Sequence, residues 1–277
     1  MHLSAISGQN QQVLLLGLDQ PMLVAAQLGI DLQQQAGRSQ LEEILKETVS
    51  AYSDLATGVI LSSELGYSAA AYKSPSSGLL YCLERAVGES DPLSIPVLQP
   101  NWSIEYVRNN YAVAKLALYA RSDEDELINK LELVNELYDA CRYEDIDFLL
   151  DLRVIDGKRL SDEAFQEQQL RLIRLFRGQS NLLAVEYPRT ALGCLSVTAE
   201  AHMPWILSDS DEADYPVYKE KLRNALTGGA VGVSVFKHIL PSFAPGAFSL
   251  EELRNFLQKE GHDRMLELRR ICDEVVK

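Results

Sequence analysis

Short apolar runs alternate along this chain with longer stretches whose apolar residues recur at helical spacing. The runs at 13–19 and 230–236 are rich in leucine and valine, as expected for strands that are buried on both faces. Amphipathic stretches follow most of the runs and are long enough to form helices. The pattern predicts strands at 13–19, 58–62, 95–99, 112–119, 147–152, 182–187, 204–208 and 230–236.

Eight strands that alternate with helices indicate a parallel sheet, because parallel neighbours need a crossover connection. The chain has 277 residues, and a typical eight-stranded α/β barrel has about 250. We therefore predict an α/β protein with a single domain over 1–277, folded as a (β/α)8 TIM barrel with a C-terminal helix. An open, doubly wound sheet is the alternative, although such sheets usually have fewer strands.

Capping residues give the expected helix boundaries. Ser39 with Glu42 and Ser249 with Glu252 have the spacing of a capping box, and Ser122 precedes three acidic residues that suit a helix N-terminus. These signals predict helices at 39–56, 122–141, 161–177 and 218–226, one that starts at 249, and a last one at 263–275. We expect the Ser- and Gly-rich segment 65–91 to be a loop with one short helix.

The charge of the chain limits the classes of partner that we expect. The formal net charge is −14 and the sequence pI is about 4.8. Nucleic acids and anionic membranes are bound through cationic contacts, so we expect neither as a partner. Because the sequence has no basic leader segment and no apolar run of about 18 residues, we expect a cytoplasmic protein.

Motifs for metals, cofactors and disulfides are missing from the sequence. The four histidines have no HxH or HExxH spacing, and the chain has no GxGxxG motif, P-loop or GxSxG motif. We therefore predict no metal site and no cofactor. The four cysteines are widely spaced without a CxxC pair, which indicates reduced thiols rather than a disulfide framework.

Lys115 is the most informative candidate residue, because it lies inside an apolar strand. A buried lysine needs a carboxylate partner, and Asp19, Asp151 and Glu186 lie at or near the ends of other predicted strands. In a barrel of this kind the C-terminal ends of the strands carry the chemistry. Lys115 is therefore either one half of a structural ion pair or an amine for substrate binding or Schiff-base chemistry, with the acids as proton-transfer groups.

Six segments, in this order and spacing, resemble the class I aldolases that cleave tagatose 1,6-bisphosphate and 6-deoxy-6-sulfofructose 1-phosphate. The segments are LGLDQ at 16–20, AKLALYARSDED at 114–125, FLLDL at 148–152, AVEYP at 184–188, HMPWILS at 202–208 and TGGAVGV at 227–233. The resemblance extends over most of the chain and implies the same barrel fold that the strand pattern predicts. It also implies a catalytic lysine on strand six, within a K-V-E-x-P motif.

The sequence departs from that family at the positions that carry its chemistry. Ala184 stands where the resemblance places the Schiff-base lysine, and a methyl group cannot form an imine. Pro21 replaces an arginine after strand one, and Asp151 replaces a glutamate on strand five. Phe236 and Lys237 replace a Gly-Arg pair after strand eight, and the loop after strand seven is acidic, which opposes a phosphate by like-charge repulsion.

Two functions remain open at this stage. The first is a pseudoenzyme that has lost Schiff-base aldolase activity and binds a sugar-type small molecule or a protein. The second is an active carbonyl lyase that uses Lys115 as its amine. Beside Lys115, Asp19, Asp151 and Glu186 as catalytic candidates, the ligand-binding candidates are Gln20, Glu64, Gln99, Ala184, Ser208, Ser210 and Lys237. We expect a neutral or cationic ligand rather than a bisphosphate, and a homo-oligomer is open.

Overall fold

The computed structural model describes residues 3–8, 10–62, 65–85, 94–99, 103–208 and 212–275. Within these ranges, eight parallel strands form a closed barrel in which every strand pairs with its neighbours in sequence and β8 pairs with β1. The predicted (β/α)8 barrel is confirmed. The strands are β1 Val13–Leu18, β2 Gly58–Leu61, β3 Gly78–Cys82, β4 Val113–Ala120, β5 Phe148–Val154, β6 Leu182–Val185, β7 Trp205–Leu207 and β8 Gly232–Val235.

Helices follow the strands and surround the barrel. In the described part of the chain they are α1 Pro21–Gln27, α2 Gln35–Tyr52, α3 Ile104–Asn109, α4 Leu127–Tyr143, α5 Asp162–Phe176, α6 Ala191–Ala201, α7 Tyr215–Thr227, α8 Leu250–Gln258 and α9 Glu260–Val275. The last of these is the expected C-terminal helix. None of the described helices is both long and apolar enough to cross a bilayer.

The prediction of the third strand is wrong. β3 occupies Gly78–Cys82, inside the segment that we expected to be loop, and the predicted run at 95–99 forms only an antiparallel bridge between Leu98 and Glu84. The serine-rich sequence before β3 is typical of a loop, so the short apolar run that follows it was not recognised as a strand. Gly78 is required there, because a Cβ at this position would lie 2.0 Å from the carbonyl oxygen of Ala5.

Capping residues predicted some helix starts correctly and others wrongly. The hydroxyl of Ser161 caps α5 and that of Ser249 caps α8, where it accepts from the N–H of Glu252. By contrast, α2 begins four residues before Ser39, and α4 begins only after Glu126. The N–H of Ser122 instead donates to the Gln168 side chain, so residues 122–126 connect β4 to α4 without helical structure.

The core has two layers because alternate strand residues point to opposite faces. One layer fills the barrel and includes Leu15, Ile60, Leu80, Leu149 and Ile206. The larger layer lies between the strands and the helices. A 3₁₀ helix, Leu3–Ala5, and the buried Ile6 that follows it pack against the inner layer.

Candidate functional site

Inward-facing side chains near the C-terminal ends of the strands enclose one small cavity of about 50 Å³. It contains three of the four predicted catalytic residues, Asp19, Lys115 and Asp151, together with Gln20 and Ala184. These residues belong to strands far apart in sequence, and closure of the barrel brings them together. The lining residues are Gly17, Asp19, Gln20, Leu23, Ile60, Lys115, Tyr119, Leu149, Asp151, Arg153, Ala184, Ile206, Ser234 and Phe236.

Lys115 is buried at the centre of three carboxylates. Its Nζ lies 2.6 Å from Asp19 Oδ2, 3.4 Å from Glu84 Oε1 and 3.8 Å from Asp151 Oδ2, and the residue is only 1% exposed. Burial by itself would lower the pKa of Lys115, but the surrounding charges, Asp19 first, outweigh it and hold that pKa well above its ordinary value. The amine is therefore a permanently charged ammonium at neutral pH.

Cys82 and Glu84 complete this cluster, and neither of them was predicted from the sequence as a site residue. The Cys82 thiol donates to Asp19 Oδ2 at 3.3 Å, and burial raises its pKa well above the ordinary value. Burial also raises the pKa of Glu84, whose Oε2 has no hydrogen-bond partner among the described residues.

Donor atoms of Asp19, Cys82 and Glu84 lie within 4.8 Å of one another, a separation that could suit a metal ion. The Lys115 ammonium already lies among these groups and is the cation that they hold. A metal ion bound there would be next to a like charge.

A second ion pair lies within β5 and is hydrogen-bonded to Ser208, the residue that follows β7. Arg153 donates through Nε and Nη2 to both carboxylate oxygens of Asp151, at 3.1 and 3.0 Å. Ser208 links the pair, because its hydroxyl donates to Asp151 Oδ1 at 2.8 Å and accepts from Arg153 Nη2 at 2.6 Å. Burial opposes ionisation of Asp151, but Arg153 and Lys115 outweigh it and lower the pKa of this carboxyl. Asp151 therefore remains a carboxylate between two cations.

Glu186, which was predicted to be catalytic, does not itself line the cavity, although it lies near Arg153, which does. Its Oε2 accepts a hydrogen bond from the backbone N–H of Val154 at 3.0 Å. Burial raises the pKa of this carboxyl, and the nearby Arg153 opposes that effect. The hydrogen bond ties Glu186, the residue that follows β6, to the end of β5.

Ala184 presents its methyl group to the barrel interior. It pairs in register with Asp151 on β5 and with Ile206 on β7, and it is 2% exposed. The position that the resemblance assigns to the Schiff-base lysine is thus part of the cavity wall, on the strand next to Asp151. Among the described residues that line the cavity, Lys115 carries the only primary amine.

Some of the remaining ligand-binding candidates line the cavity and others do not. Gln20 lines the cavity and its Oε1 lacks a hydrogen-bond partner within the described ranges. Gln99 donates its backbone N–H to Leu83, and Lys237 accepts at its backbone oxygen from Gln27; neither side chain lines the cavity. Glu64 and Ser210 lie outside the described residues.

Arg153, Tyr119 and Ser234 also line the cavity and were not predicted. The two-residue period of a strand could have found Arg153 and Tyr119, since Arg153 follows Asp151 by two and Tyr119 follows Lys115 by four. Glu84 could not be found in this way, because β3 itself was misplaced.

Comparisons with known proteins agree with this architecture. No family model matches the chain. The tagatose 1,6-diphosphate aldolase 2 of Streptococcus pyogenes serotype M1 is 29% identical over 132 residues, which cover 46% of this chain and 40% of that protein. The match therefore spans less than half of the length of the curated relative.

Solved structures extend the likeness to the whole barrel. An archaeal fructose 1,6-bisphosphate aldolase superposes with a TM-score of 0.67 at 14% identity, covering 97% of this chain and 96% of the other. A Schiff-base-forming fructose-1,6-bisphosphate aldolase gives 0.67 at 13% identity, with 99% and 98% covered. The fructose-bisphosphate aldolase from Slackia heliotrinireducens gives 0.66 at 16% identity, with 97% and 88% covered.

At these identities the structural matches show a shared fold, and the partial sequence match adds a link to one group of enzymes within it. Together they support a relationship between this chain and the aldolases that share its barrel.

Proposed function

We propose that this barrel binds a small, sugar-type molecule at the C-terminal ends of its strands and has lost Schiff-base aldolase chemistry. The observation that carries the proposal is Ala184, whose methyl group lies in the cavity wall where the resemblance expects the lysine. An imine requires a primary amine beside the substrate carbonyl, and loss of a covalent nucleophile removes the intermediate that divides the reaction into easier steps.

Lys115 is a poor substitute for that missing amine. A Schiff-base lysine must be unprotonated when it attacks a carbonyl, and enzymes achieve this by lowering its pKa. The carboxylates around Lys115 have the opposite effect and keep the amine protonated. The ammonium also has three carboxylates, those of Asp19, Glu84 and Asp151, within 3.8 Å, so its positive charge is already compensated by the protein.

The dimensions of the cavity favour a small polar group over a bisphosphate. Typical ligand pockets measure about 300–1,000 Å³, whereas this one measures about 50 Å³, enough for only a few water molecules. Its polar wall includes Asp19, Gln20, Tyr119 and Ser234. These groups suit one or two hydroxyl groups of a ligand whose remainder lies in the mouth of the barrel.

The names of the relatives support the same ligand class. The sequence relative is a tagatose 1,6-diphosphate aldolase, and the superposed structures are fructose-bisphosphate aldolases. We take from them a sugar as the ligand and set aside the phosphate groups, because the loop after β7 is acidic.

Reductive trapping tests the loss of chemistry directly. The wild-type protein is incubated with dihydroxyacetone, a ketone without the phosphate group that the acidic loop after β7 opposes, and with borohydride, and the intact mass is measured. We expect no adduct on the wild type and an adduct on Ala184→Lys, with Ala184→Met as a control that has similar length but no amine. A wild-type adduct that disappears in Lys115→Met would refute the proposal in favour of the lyase that uses Lys115.

Calorimetry tests the ligand class. We expect D-fructose to bind more tightly than fructose 1,6-bisphosphate, and the difference should persist in Ala184→Met, because binding does not depend on an amine at that position. Tighter binding of the bisphosphate would overturn the expected ligand.

A further inference from the structure

Gly17 lines the cavity, and its backbone conformation does not explain why this position is a glycine. It lies inside β1, and its φ is not in the left-handed region that favours glycine. Its strand also pairs with β2 in unbroken register on both sides of it, so there is no bulge. A glycine inside a strand often marks a place where another group approaches the backbone closely. Space is therefore the property that Gly17 provides.

Oxygen atoms surround the space that a side chain at Gly17 would occupy. A Cβ there would lie 2.8 Å from Ser234 Oγ, 3.7 Å from the carbonyl oxygen of Val235 and 3.8 Å from Asp19 Oδ1. At Gly58, on the inner face of β2, the three nearest neighbours of a Cβ would instead be carbon atoms of apolar side chains. The space beside Gly17, which we call the Gly17 notch, is thus a polar recess bounded by Asp19 and Ser234.

Both polar side chains of the Gly17 notch are buried, and each has hydrogen-bonding capacity left over. Asp19 and Ser234 are each 8% exposed. Lys115 and Cys82 donate to Oδ2 of Asp19. Its Oδ1 and the hydroxyl of Ser234 make no hydrogen bond in the described part of the chain, and Gln20 Oε1 in the same cavity also lacks a partner there. Because polar groups in buried residues are normally hydrogen-bonded, these three oxygens indicate a partner from outside the chain.

The charges of the cavity restrict the chemistry of that partner. A cationic group would be repelled by Lys115 and Arg153, which both line the cavity, and an anionic group would face the carboxylate of Asp19. A hydroxyl group is neutral and is both a donor and an acceptor. It can donate to Asp19 Oδ1 and accept from the hydroxyl of Ser234, whereas an ether oxygen cannot donate and a methylene group can do neither.

We propose that the Gly17 notch is a subsite for one hydroxyl group of the ligand, with Gly17 and Ser234 as specificity-determining residues. The inference rests on the proposed function, because it takes a sugar-type ligand to occupy this cavity, and it narrows that ligand to a neutral polyhydroxy compound. The missing Cβ of Gly17 leaves room for the hydroxyl group. Asp19 and Ser234 supply its hydrogen bonds, so a compound that lacks this one hydroxyl binds more weakly.

Calorimetry with D-fructose and its monodeoxy derivatives tests the subsite. We expect one derivative to bind the wild type about 10-fold more weakly than D-fructose, as for the loss of a hydrogen bond to a charged group. In Gly17→Ala a methyl group fills the Gly17 notch, so D-fructose should lose about 10-fold in affinity and its advantage over that derivative should disappear. Ser234→Ala fills no space and removes one of the two partners, so it should weaken D-fructose by about 5-fold.

Gly58→Ala is the matched control. It adds the same methyl group to the inner face of the neighbouring strand, at the other end of the barrel and outside the cavity lining. Its Cβ would lie 2.9 Å from Leu15 Cδ2, a contact as close as the one at Gly17. The two variants should therefore lose comparable thermal stability, but Gly58→Ala should bind D-fructose as the wild type does.

The double variant Gly17→Ala/Ser234→Ala separates steric strain from loss of the subsite. Removing Ser234 Oγ relieves the closest contact of the new methyl group. The Tm should therefore rise towards that of the wild type, whereas the affinity for D-fructose should stay as low as in Gly17→Ala.

Three results would overturn the inference and leave the proposed function standing. They are wild-type affinity for D-fructose in Gly17→Ala, a monodeoxy series in which no member binds the wild type more than about twofold more weakly than D-fructose, and equal losses of affinity in Gly17→Ala and Gly58→Ala. A wild type that binds neither D-fructose nor any derivative would refute the proposed function and this inference together.

Discussion

Replacing Lys115 by methionine would leave a cluster of buried carboxylates without its central cation. Methionine has a similar length and fills the same space, so the change mainly removes the charge. Asp19 loses a contact of 2.6 Å, and Glu84 and Asp151 lose longer ones. Asp151 keeps Arg153, so Asp19 and Glu84 are the groups left uncompensated.

Removing one partner of a buried ion pair typically costs about 3–5 kcal/mol. We expect Lys115→Met to lose about that much at pH 7, a large share of the roughly 5–15 kcal/mol that stabilises a typical protein. The double variant Asp19→Asn/Lys115→Met should be more stable than the sum of the two single changes predicts, with a coupling of about 1–3 kcal/mol.

Urea unfolding at pH 5 and pH 8 measures these free energies, with the fluorescence of the buried Trp205 as the probe. Carboxylates that have lost their cation take up protons more readily, so the loss should be smaller at pH 5. Lys130→Met is the matched control. Lys130 is also fully buried and pairs with Glu124, but it holds one carboxylate instead of three. Its pH dependence should be shallower.

A loss below about 1 kcal/mol in Lys115→Met, the value typical of an exposed pair, would refute the reasoning. So would an equal loss at pH 5 and pH 8, because the cost would then come from packing and not from charge.

Three further predictions concern other positions. Burial raises the pKa of Glu84, so the folded protein holds a proton on this carboxyl more tightly than the unfolded chain does. The carboxyl therefore contributes less stability as the pH rises. In urea titrations, the stability of Glu84→Gln relative to wild type should increase from pH 4 to pH 8. Burial first, and nearby cations second, lower the pKa of His238 to about 4, so wild type should lose up to about 3 kcal/mol between pH 6.5 and pH 4. In His238→Phe this loss should be absent, and a matching slope would refute the assignment. Ser249→Ala removes the hydroxyl that accepts from the N–H of Glu252 and should cost about 1 kcal/mol, measured as a lower Tm, with Ser196→Ala as a control inside a helix.

Strands and helices were predictable to different degrees. Seven strands overlap the predicted runs, with β4 and β5 extending one and two residues further, because continuous apolar sequence is typical of strands buried on both faces. β3 was missed because it follows a serine-rich segment, and tertiary packing against Ala5 and the neighbouring strands holds it in place. Helix α6 was not predicted because an apolar face on both sides removes the period that identifies a helix.

The residues of the candidate site were also predictable only in part. Lys115, Asp19 and Asp151 were predicted to meet, since polar residues in apolar strands of a barrel share one interior. Glu186 was predicted to lie in strand six, but β6 ends at Val185, and the Glu186 carboxylate accepts from the backbone N–H of Val154. The sequence alone did not predict this hydrogen bond, because the partner of a side chain depends on the geometry of the neighbouring loop.

By itself, the sequence determined the barrel, the alanine at position 184 and the net negative charge of the chain, because each of these follows from the order and chemistry of the residues. Only the tertiary structure decided that three carboxylates and a thiol surround Lys115 and that the cavity above them is small. The physical reason is the closure of the sheet, which brings residues on or just after β1, β3, β4 and β5 within a few ångströms although they are distant in the chain. Distances of that kind decide whether a lysine is a reactive amine or a buried counter-ion, and our proposal that Lys115 does not act as the Schiff-base amine rests on them.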